Sequence, residues 1–220
     1  MSVEETIAQI AKEVSACTKC PLHEGRKKSV PGEGPATAEI MFIGEGPGFH
    51  ENEQGRPFVG AAGKFLDQLL AQAGVTRAGA WIGNVVKCRP PGNRDPLPEE
   101  LAACDTYLEA QIKAINPSII VTLGRFSMGK FVSGAKISAI HGQMRKVGDR
   151  YVIPMFHPAA ALHQAALKPD PGPLRQGQLT HFRSQAEHIA GKVVDAAGEQ
   201  TQVIADQAGG IRGRALASFS

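Results

Sequence analysis

Short runs of apolar residues alternate along the chain with segments of helical character. The apolar runs have the length of buried strands and cover residues 40–43, 80–87, 119–123, 140–143 and 151–156. Helical spacing or helix-start residues predict helices at residues 3–15, 64–73, 98–115, 126–131 and 179–194. The last two strands flank a turn at Gly148 and Asp149. Because strands and helices alternate, the pattern predicts one α/β domain.

The first strand opens into a glycine-rich loop, Gly44-Glu45-Gly46-Pro47-Gly48. Loops after parallel strands are where α/β folds bind ligands, and glycines let a ligand approach the main chain. A second Gly-Pro segment at residues 55–58 ends in Phe58, and Glu51 lies between the two segments. The stretch therefore predicts one wall of a binding site. The alternative is a plain strand-loop-helix connection whose acids face the solvent.

Length and charge fit one intracellular domain. The chain has 220 residues and a net charge of +3, which is compatible with a polyanionic partner. No apolar run approaches the roughly 18 residues of a membrane span, and Glu4 and Glu5 stand where a signal peptide has basic residues. We expect a cytoplasmic protein with no membrane partner. Residues 195–220 lack apolar periodicity, which predicts a disordered tail.

Four cysteines form a spaced set. Cys17 and Cys20 make a Cys-x-x-Cys pair followed by proline, whereas Cys88 and Cys104 have fifteen residues between them. In a cytosolic chain four cysteines favour metal binding over disulfides. Zinc sites usually pair two close Cys-x-x-Cys knuckles, so the wide second spacing favours an iron-sulfur cluster. The alternative is four independent buried thiols.

Several polar residues follow the predicted strands. Asn84 interrupts an apolar strand, and its amide offers a donor and an acceptor side by side, which can match the edge of a pyrimidine. Otherwise Asn84 is an incidental edge residue. A rigid basic loop with Arg89 and Arg94 follows. His157 lies directly after the last strand, where catalytic groups are often found, although a structural histidine bound to a backbone carbonyl is the alternative.

Four ordered motifs lie between these cysteines or just after them. They are Gly44-Glu45-Gly46-Pro47-Gly48, Gly55-Arg56-Pro57-Phe58-Val59-Gly60, Asn84-Val85-Val86-Lys87-Cys88-Arg89-Pro90-Pro91 and Phe156-His157-Pro158. Together with the cysteine spacing, this set resembles the iron-sulfur type (family 4) uracil-DNA glycosylases over about residues 17–194.

The resemblance implies a fold, an activity and a cofactor. The fold is a three-layer α/β/α sandwich with a central, mostly parallel four-stranded sheet, in a single domain over residues 1–194. The activity is that of a monofunctional enzyme of base excision repair. It flips deoxyuridine out of single- or double-stranded DNA and hydrolyses its N-glycosidic bond, leaving an abasic site. A structural 4Fe-4S cluster is held by all four cysteines. We expect a monomer in a bacterial or archaeal cytoplasm.

The resemblance also implies residue roles. Phe58 stacks on the flipped uracil, Asn84 reads its polar edge, and His157 donates to uracil O2 as the base departs. The loop around Gly46 lines the same pocket. The candidates for orienting the attacking water are Glu45 and Glu51.

The resemblance also implies three candidates for DNA contact, which are not among the uracil-pocket residues: Arg89, Arg94 and Leu162. Relatives with an aspartate in the first motif place it near the water, and here that position is Gly46. The family commonly follows His-Pro with a serine and, later, an arginine, whereas this chain has Ala159 and His163. Leu162 remains as the residue to fill the emptied stack. We therefore expect flipping to be retained but weaker on stable duplexes.

A basic insertion carrying a histidine after the asparagine strand marks relatives that become trapped on their product. This chain has Cys88-Arg89-Pro90-Pro91 there, so we expect turnover. Two other functions remain open. One is an iron-sulfur DNA-binding protein of the same fold that excises no uracil, and the other is a glycosylase of broader base specificity.

Overall fold

One five-stranded sheet forms the centre of the computed structural model, which describes residues 1–160 and 162. In chain order the strands are β1 (Ile40–Gly44), β2 (Trp81–Asn84), β3 (Ile119–Leu123), β4 (Arg145–Val147) and β5 (Arg150–Met155). They lie side by side in the order β2-β1-β3-β5-β4. The first four of these are mutually parallel, and β4 is antiparallel to β5. The predicted α/β class and the mostly parallel sheet are confirmed, but the sheet has five strands and not the four that the resemblance implied.

The fifth strand is where the sequence prediction was wrong. Residues 140–143 are not a strand, because a helix ends at Ile140 and a turn follows. The edge strand is instead β4, whose Arg145 and Lys146 side chains are exposed. Two exposed basic residues in three give no apolar run, so hydrophobic patterning did not reveal it. The predicted turn is present, with Gly148 at a φ of 60°.

Six α-helices whose bounds are fully described surround the sheet: α1 (Val3–Ala16), α2 (Phe49–Gln54), α3 (Ala61–Gln72), α4 (Pro98–Ile115), α5 (Arg125–Phe131) and α6 (Ile137–Ile140). Residues 158–160 and 162 are also helical. A capping box between Ser2 and Glu5 starts α1. Pro98 and two acids start α4, which ends at Asn116 in the left-handed conformation. The short α2 was not predicted, because its six residues are mostly polar.

Helices cover both faces of the sheet. Alternate residues of a strand point to opposite faces, so Phe42 packs in one apolar cluster and Met41 in another. The cluster with Phe42 includes Leu66 of α3. The cluster with Met41 includes Leu108 of α4, and α1 packs against α4. This arrangement confirms the predicted three-layer sandwich.

The parallel strands all end at one edge of the sheet. Gly44 and Asn84 are register partners at the ends of β1 and β2, and His157 follows β5 by two residues. At the β2 side, residue 33 pairs with Ile82 in an isolated antiparallel bridge. The fold therefore brings the predicted polar residues together at the carboxyl edge.

Two predicted elements lie outside the described residues, namely the helix at residues 179–194 and the tail at residues 195–220, and so does the predicted domain limit at residue 194. Among the described helices, none is both long enough and apolar enough to span a membrane.

Candidate active site

A cavity of about 640 Å³ opens at the carboxyl edge of the sheet, and we call it the edge cavity. Most of the predicted site residues contribute to its lining: Glu45, Gly46, Glu51, Phe58, Asn84, Arg94 and His157. Arg89 and Leu162 are not among the lining residues. Four sequence segments that are far apart along the chain thus meet in one cavity, as the motifs predicted.

Asn84 and Phe58 converge on Gly44. A Cβ atom at Gly44 would lie 2.5 Å from Asn84 Oδ1 and 2.6 Å from Phe58 Cζ, so the end of β1 accommodates only glycine. Asn84 is 2% exposed, and no described residue hydrogen-bonds to its side-chain amide. Because Asn84 lines the edge cavity, its amide is available there to a ligand. The arrangement is that of a group kept for a ligand.

The Phe58 backbone is held in an unusual conformation. Its φ of 51° is in the left-handed region, which phenylalanine rarely adopts. A Cβ atom at Gly63 in α3 would lie 1.8 Å from the Phe58 carbonyl oxygen, so the helix packs directly on this peptide. The Phe58 ring stacks against the imidazole of His157, with ring centroids 5.7 Å apart and planes at 28°.

An ion-pair network centred on Arg77 also binds the backbone of residues 57 and 58. Arg77 donates to the carbonyl oxygens of Pro57 at 2.6 Å and Phe58 at 3.3 Å. It also pairs with Glu33 at 2.7 Å and with Asp67 at 2.8 Å. Burial alone would raise the pKa of Glu33, but hydrogen bonds from arginines outweigh it and lower the pKa. Sequence analysis missed this network, because no local pattern links Arg77 to a residue 44 positions away.

His157 presents a neutral imidazole. The Ala159 N–H donates to its Nδ1 at 3.2 Å, which leaves the proton on Nε2. Burial lowers the pKa of His157 to about 4, although Glu51 opposes the shift. Gly124 has a φ of 101°, and a Cβ atom there would lie 3.3 Å from His157 Cβ. Nδ1 thus accepts from a backbone N–H and is not bound to a carbonyl.

Glu51 is held by three backbone amides. Its carboxylate accepts from Gly48 at 3.1 Å, Val59 at 2.9 Å and Gly60 at 2.8 Å. These bonds cap the start of α2 and tie it to the segment that follows Phe58. Both carboxylate oxygens are therefore engaged by the protein.

Glu45 is the less restrained of the two carboxylates. It is partly buried, and no described residue donates a hydrogen bond to its side chain. Burial raises the pKa of Glu45, Asp95 raises it further, and Arg125 lowers it in part. The adjacent Gly46 is closed to side chains, since a Cβ atom there would lie 2.8 Å from Val86 Cγ2. An aspartate at this position would therefore require Val86 to shift.

Three of the four cysteines pack in one apolar cluster, namely Cys20, Cys88 and Cys104. All four, including Cys17, are free thiols. Two backbone N–H groups point at sulfur, Lys19 to Cys17 at 3.4 Å and Lys87 to Cys104 at 3.5 Å. Burial raises the pKa of Cys104 to about 11. Within the described residues, no group of three or more His, Cys, Asp or Glu side chains is placed to hold a single metal ion.

Two cations adjoin the cysteines, the partly buried Arg26 and the buried Lys87, and sequence analysis did not predict the contacts of either. Arg26 reaches Cys88 Sγ at 3.6 Å and donates to the Cys17 carbonyl at 2.8 Å. Lys87 is fully buried and donates to the Asn84 carbonyl at 2.9 Å and to Gln111 Oε1 at 2.8 Å. Burial lowers the pKa of Lys87 to about 8. Lys87 thus connects the cysteine region to the strand end that carries Asn84.

The predicted DNA-contact residues differ in how strongly neighbouring side chains already bind them. Arg94 is engaged by both oxygens of the buried Glu100, at 2.6 and 2.9 Å. Arg89 donates to Asn93 Oδ1 at 2.7 Å and lies over the ring of Phe49. Leu162 is partly buried. Of the two arginines, Arg94 is paired with a carboxylate, whereas Arg89 has no carboxylate partner among the described residues.

Several known proteins are similar in sequence to this chain. The family model described as Uracil DNA glycosylase superfamily matches residues 31–175. A "Type-4 uracil-DNA glycosylase" of Thermotoga maritima is 48% identical over 162 residues, covering 72% of this chain and 84% of that protein. Proteins of the same name are 44% identical in Archaeoglobus fulgidus, over 74% of this chain and 87% of theirs, and 42% identical in Saccharolobus solfataricus, over 84% and 87%.

Proposed function

The chain belongs to the uracil DNA glycosylase superfamily, and on that premise we propose that its edge cavity receives a deoxyuridine flipped out of DNA. The enzyme excises uracil by hydrolysing the N-glycosidic bond and leaves an abasic site, as a step of DNA repair. The observation that carries this proposal is the convergence of Phe58, Asn84 and His157 in one cavity at the carboxyl edge. Three motifs from separate parts of the chain form a base-sized site there.

Base recognition rests on Phe58 and Asn84. Uracil stacks on the Phe58 ring, while the Asn84 amide pairs with the N3–H and O4 atoms of uracil. Cytosine has an amino group in place of O4 and no proton on N3, so its edge would oppose donor to donor. Asn84 is buried, and such a mismatch in a buried site is expensive. The site therefore selects uracil by hydrogen bonding.

His157 stabilises the departing base. Uracil leaves with negative charge on O2, and a neutral imidazole with its proton on Nε2 can donate to that oxygen. The Ala159 N–H fixes this tautomer. A fixed donor needs little reorganisation as the charge develops.

We assign the orientation of the attacking water to Glu45. Its carboxylate lines the edge cavity without a described protein donor, whereas both oxygens of Glu51 are already bound by amides. Glu51 then acts by holding the Phe58 segment in place. Gly46 cannot supply a carboxylate.

The cysteine set fits a 4Fe-4S cluster. Four free thiols converge, two N–H groups and Arg26 point at their sulfurs, and these donors would stabilise thiolate charge. When bound, the cluster supplies a cross-link between Cys17, Cys20, Cys88 and Cys104.

The partner is uracil-containing DNA, on which the enzyme acts as a monomer. Base release from a panel of oligonucleotides tests the function. Each carries one uracil, hypoxanthine or mispaired thymine, in single- or double-stranded form, and alkali cleaves at abasic sites.

We expect cleavage at uracil, and a loss of at least about a hundredfold in kcat/KM for Asn84→Ala and for His157→Ala. Gln68→Ala, at an exposed position of α3, is the matched control and keeps full activity. Absence of cleavage at uracil by iron-loaded protein would refute the assignment. Cleavage at hypoxanthine or thymine would extend it to broader base specificity.

A further inference from the structure

Phe49 lines the edge cavity yet is 54% exposed. It is the first residue of α2, directly after the glycine-rich loop. Large aromatic side chains are usually buried, since each removes a large apolar area from water. Phe49 is not one of the residues proposed to contact uracil. The aromatic side chain proposed to stack on uracil is Phe58, which is buried.

The Phe49 ring has two defined neighbours. The guanidinium carbon of Arg89 lies 5.4 Å from the ring centroid, in cation-π geometry. His50 contacts the ring edge-on, with centroids 5.5 Å apart. Arg89 is itself fixed, since its Nε donates to Asn93 Oδ1 at 2.7 Å. An exposed aromatic side chain that lines the cavity is therefore paired with a fixed cation, which lies outside the lining.

This pairing has the chemistry of a nucleic-acid contact. Proteins that hold single strands combine aromatic faces, on which bases stack, with positive charge that follows the phosphates. When a nucleotide leaves the helix, each neighbouring base loses its stacking contact on one side. An exposed ring beside the cavity that receives the flipped base is placed to replace one such contact.

We propose that Phe49 and Arg89 form a stacking platform for a nucleobase adjacent to the flipped deoxyuridine. This inference rests on the proposed function. The platform holds the neighbouring base after flipping, so it favours the open strand without reading its sequence. Phe49 is then a DNA-positioning residue, distinct from the residues that contact uracil.

Single-turnover uracil excision from single-stranded oligonucleotides tests the platform. One substrate has ordinary bases on both sides of the uracil, and two others carry a tetrahydrofuran abasic analogue on the 5′ or the 3′ side. The variants are Phe49→Ala, Phe49→Trp, which keeps a stacking surface, and Leu97→Ala, which removes an apolar side chain of 42% exposure that does not line the cavity.

We expect Phe49→Ala to lose about tenfold in kcat/KM on the ordinary substrate, and Phe49→Trp and Leu97→Ala to lose less than about twofold. One of the two abasic-analogue substrates lacks the base that the platform holds. On that substrate the kcat/KM of the native enzyme should fall to the value that Phe49→Ala has on the ordinary substrate. The kcat/KM of Phe49→Ala should be the same on both substrates.

An equal loss by Phe49→Ala on all three substrates would overturn the platform, as would no loss on any. A misfolded variant would give the first of these results, so it also counts against the proposal. Failure of the proposed function looks different, because the native enzyme would then release no uracil from the ordinary substrate.

Discussion

A single imidazole shows how much the site depends on the state of one residue. His157 is neutral because burial lowers its pKa to about 4, and its tautomer is set by the Ala159 N–H. A histidine of ordinary pKa, about 6.5, would gain charge in mildly acidic solution. His157 stays an uncharged Nε2 donor throughout that range.

The depressed pKa predicts a pH-dependent stability. The unfolded chain takes up the proton near pH 6.5 and the folded chain only near pH 4, so the contribution is fully present above pH 6.5 and is lost as the pH falls toward 4. Urea unfolding of native protein and of His157→Gln measures it. The stability of the native protein relative to the variant should decline by up to about 3 kcal/mol across this window. A constant difference would argue against a buried neutral ring.

Gly63 predicts a second effect at one residue. Gly63→Ala would place a methyl group 1.8 Å from the Phe58 carbonyl oxygen in the present geometry, so the segment must shift. We expect kcat/KM for uracil excision to fall by at least about tenfold, because misplacing a contact residue by an ångström is costly.

Gly129→Ala is the matched control. This glycine lies inside α5 with no atom within 4 Å of an added Cβ, so alanine should leave activity unchanged and raise stability by about 0.5–1 kcal/mol. Equal activity of the two variants would show that Phe58 does not need its observed position.

The sequence predicted Phe58, Asn84 and His157 because each lies at or just after a recognisable strand or glycine motif. It did not predict Arg77 or Lys87. Their partners are distant in sequence, 24 positions away for Lys87 and Gln111, and a lysine in an apolar strand gives no sign of what it binds. Such partners are set by tertiary packing.

Among the elements, α2 is a short helix whose start is capped by the Glu51 side chain. It has six residues and little apolar surface, and helices of that length are marginal by themselves. Glu51 caps it and binds the amides of Val59 and Gly60. The helix and the Phe58 segment therefore move together.

This coupling predicts different results for two substitutions at Glu51. Glu51→Ala removes all three hydrogen bonds and should lower kcat/KM about tenfold. Glu51→Gln keeps a carbonyl oxygen as acceptor and should retain most of the activity. If Glu51 were instead the base that orients water, glutamine would be as inactive as alanine. Excision rates of both variants on one uracil oligonucleotide decide between the two roles.

Elements with a continuous apolar pattern were predicted well. The bounds of β3 and α4 agree with those predicted, since one is a run of five apolar or β-branched residues and the other has clear start signals. The prediction for the second strand ran three residues too far, because Val85 and Val86 are buried yet pair with the loop after β1. The polar elements α2 and β4 were missed because neither has a continuous apolar pattern.

For the whole molecule, the cysteines connect parts that are distant in sequence. Cys17 ends α1, Cys88 follows β2, and Cys104 lies within α4. Binding energy at such a site is folding energy, because the ligands are apart in the unfolded chain. A cluster bound by these cysteines would therefore reinforce the packing of α1 on α4, to which Ile10, Val14 and Tyr107 already contribute.

Replacing one ligand should accordingly cost both iron and stability. Cys20→Ser should lose most of the iron and visible absorbance and lower the unfolding temperature by on the order of 10 °C. Thr18→Ser, exposed between the paired cysteines, is the control and should change neither. Full iron content in Cys20→Ser would exclude it as a ligand. Iron analysis and thermal unfolding by circular dichroism measure the two effects.

The strand that hydrophobic patterning missed has a consequence for how molecules meet. An open sheet edge can accept a strand from another chain and start aggregation. Arg145 and Lys146 expose charge on β4 at one edge, and residue 33 already bonds both ways with Ile82 at the other. Each edge of the described sheet thus carries a feature that disfavours strand addition, exposed positive charge on β4 and a paired residue beside β2. Copies of the chain are therefore less able to join through their sheets.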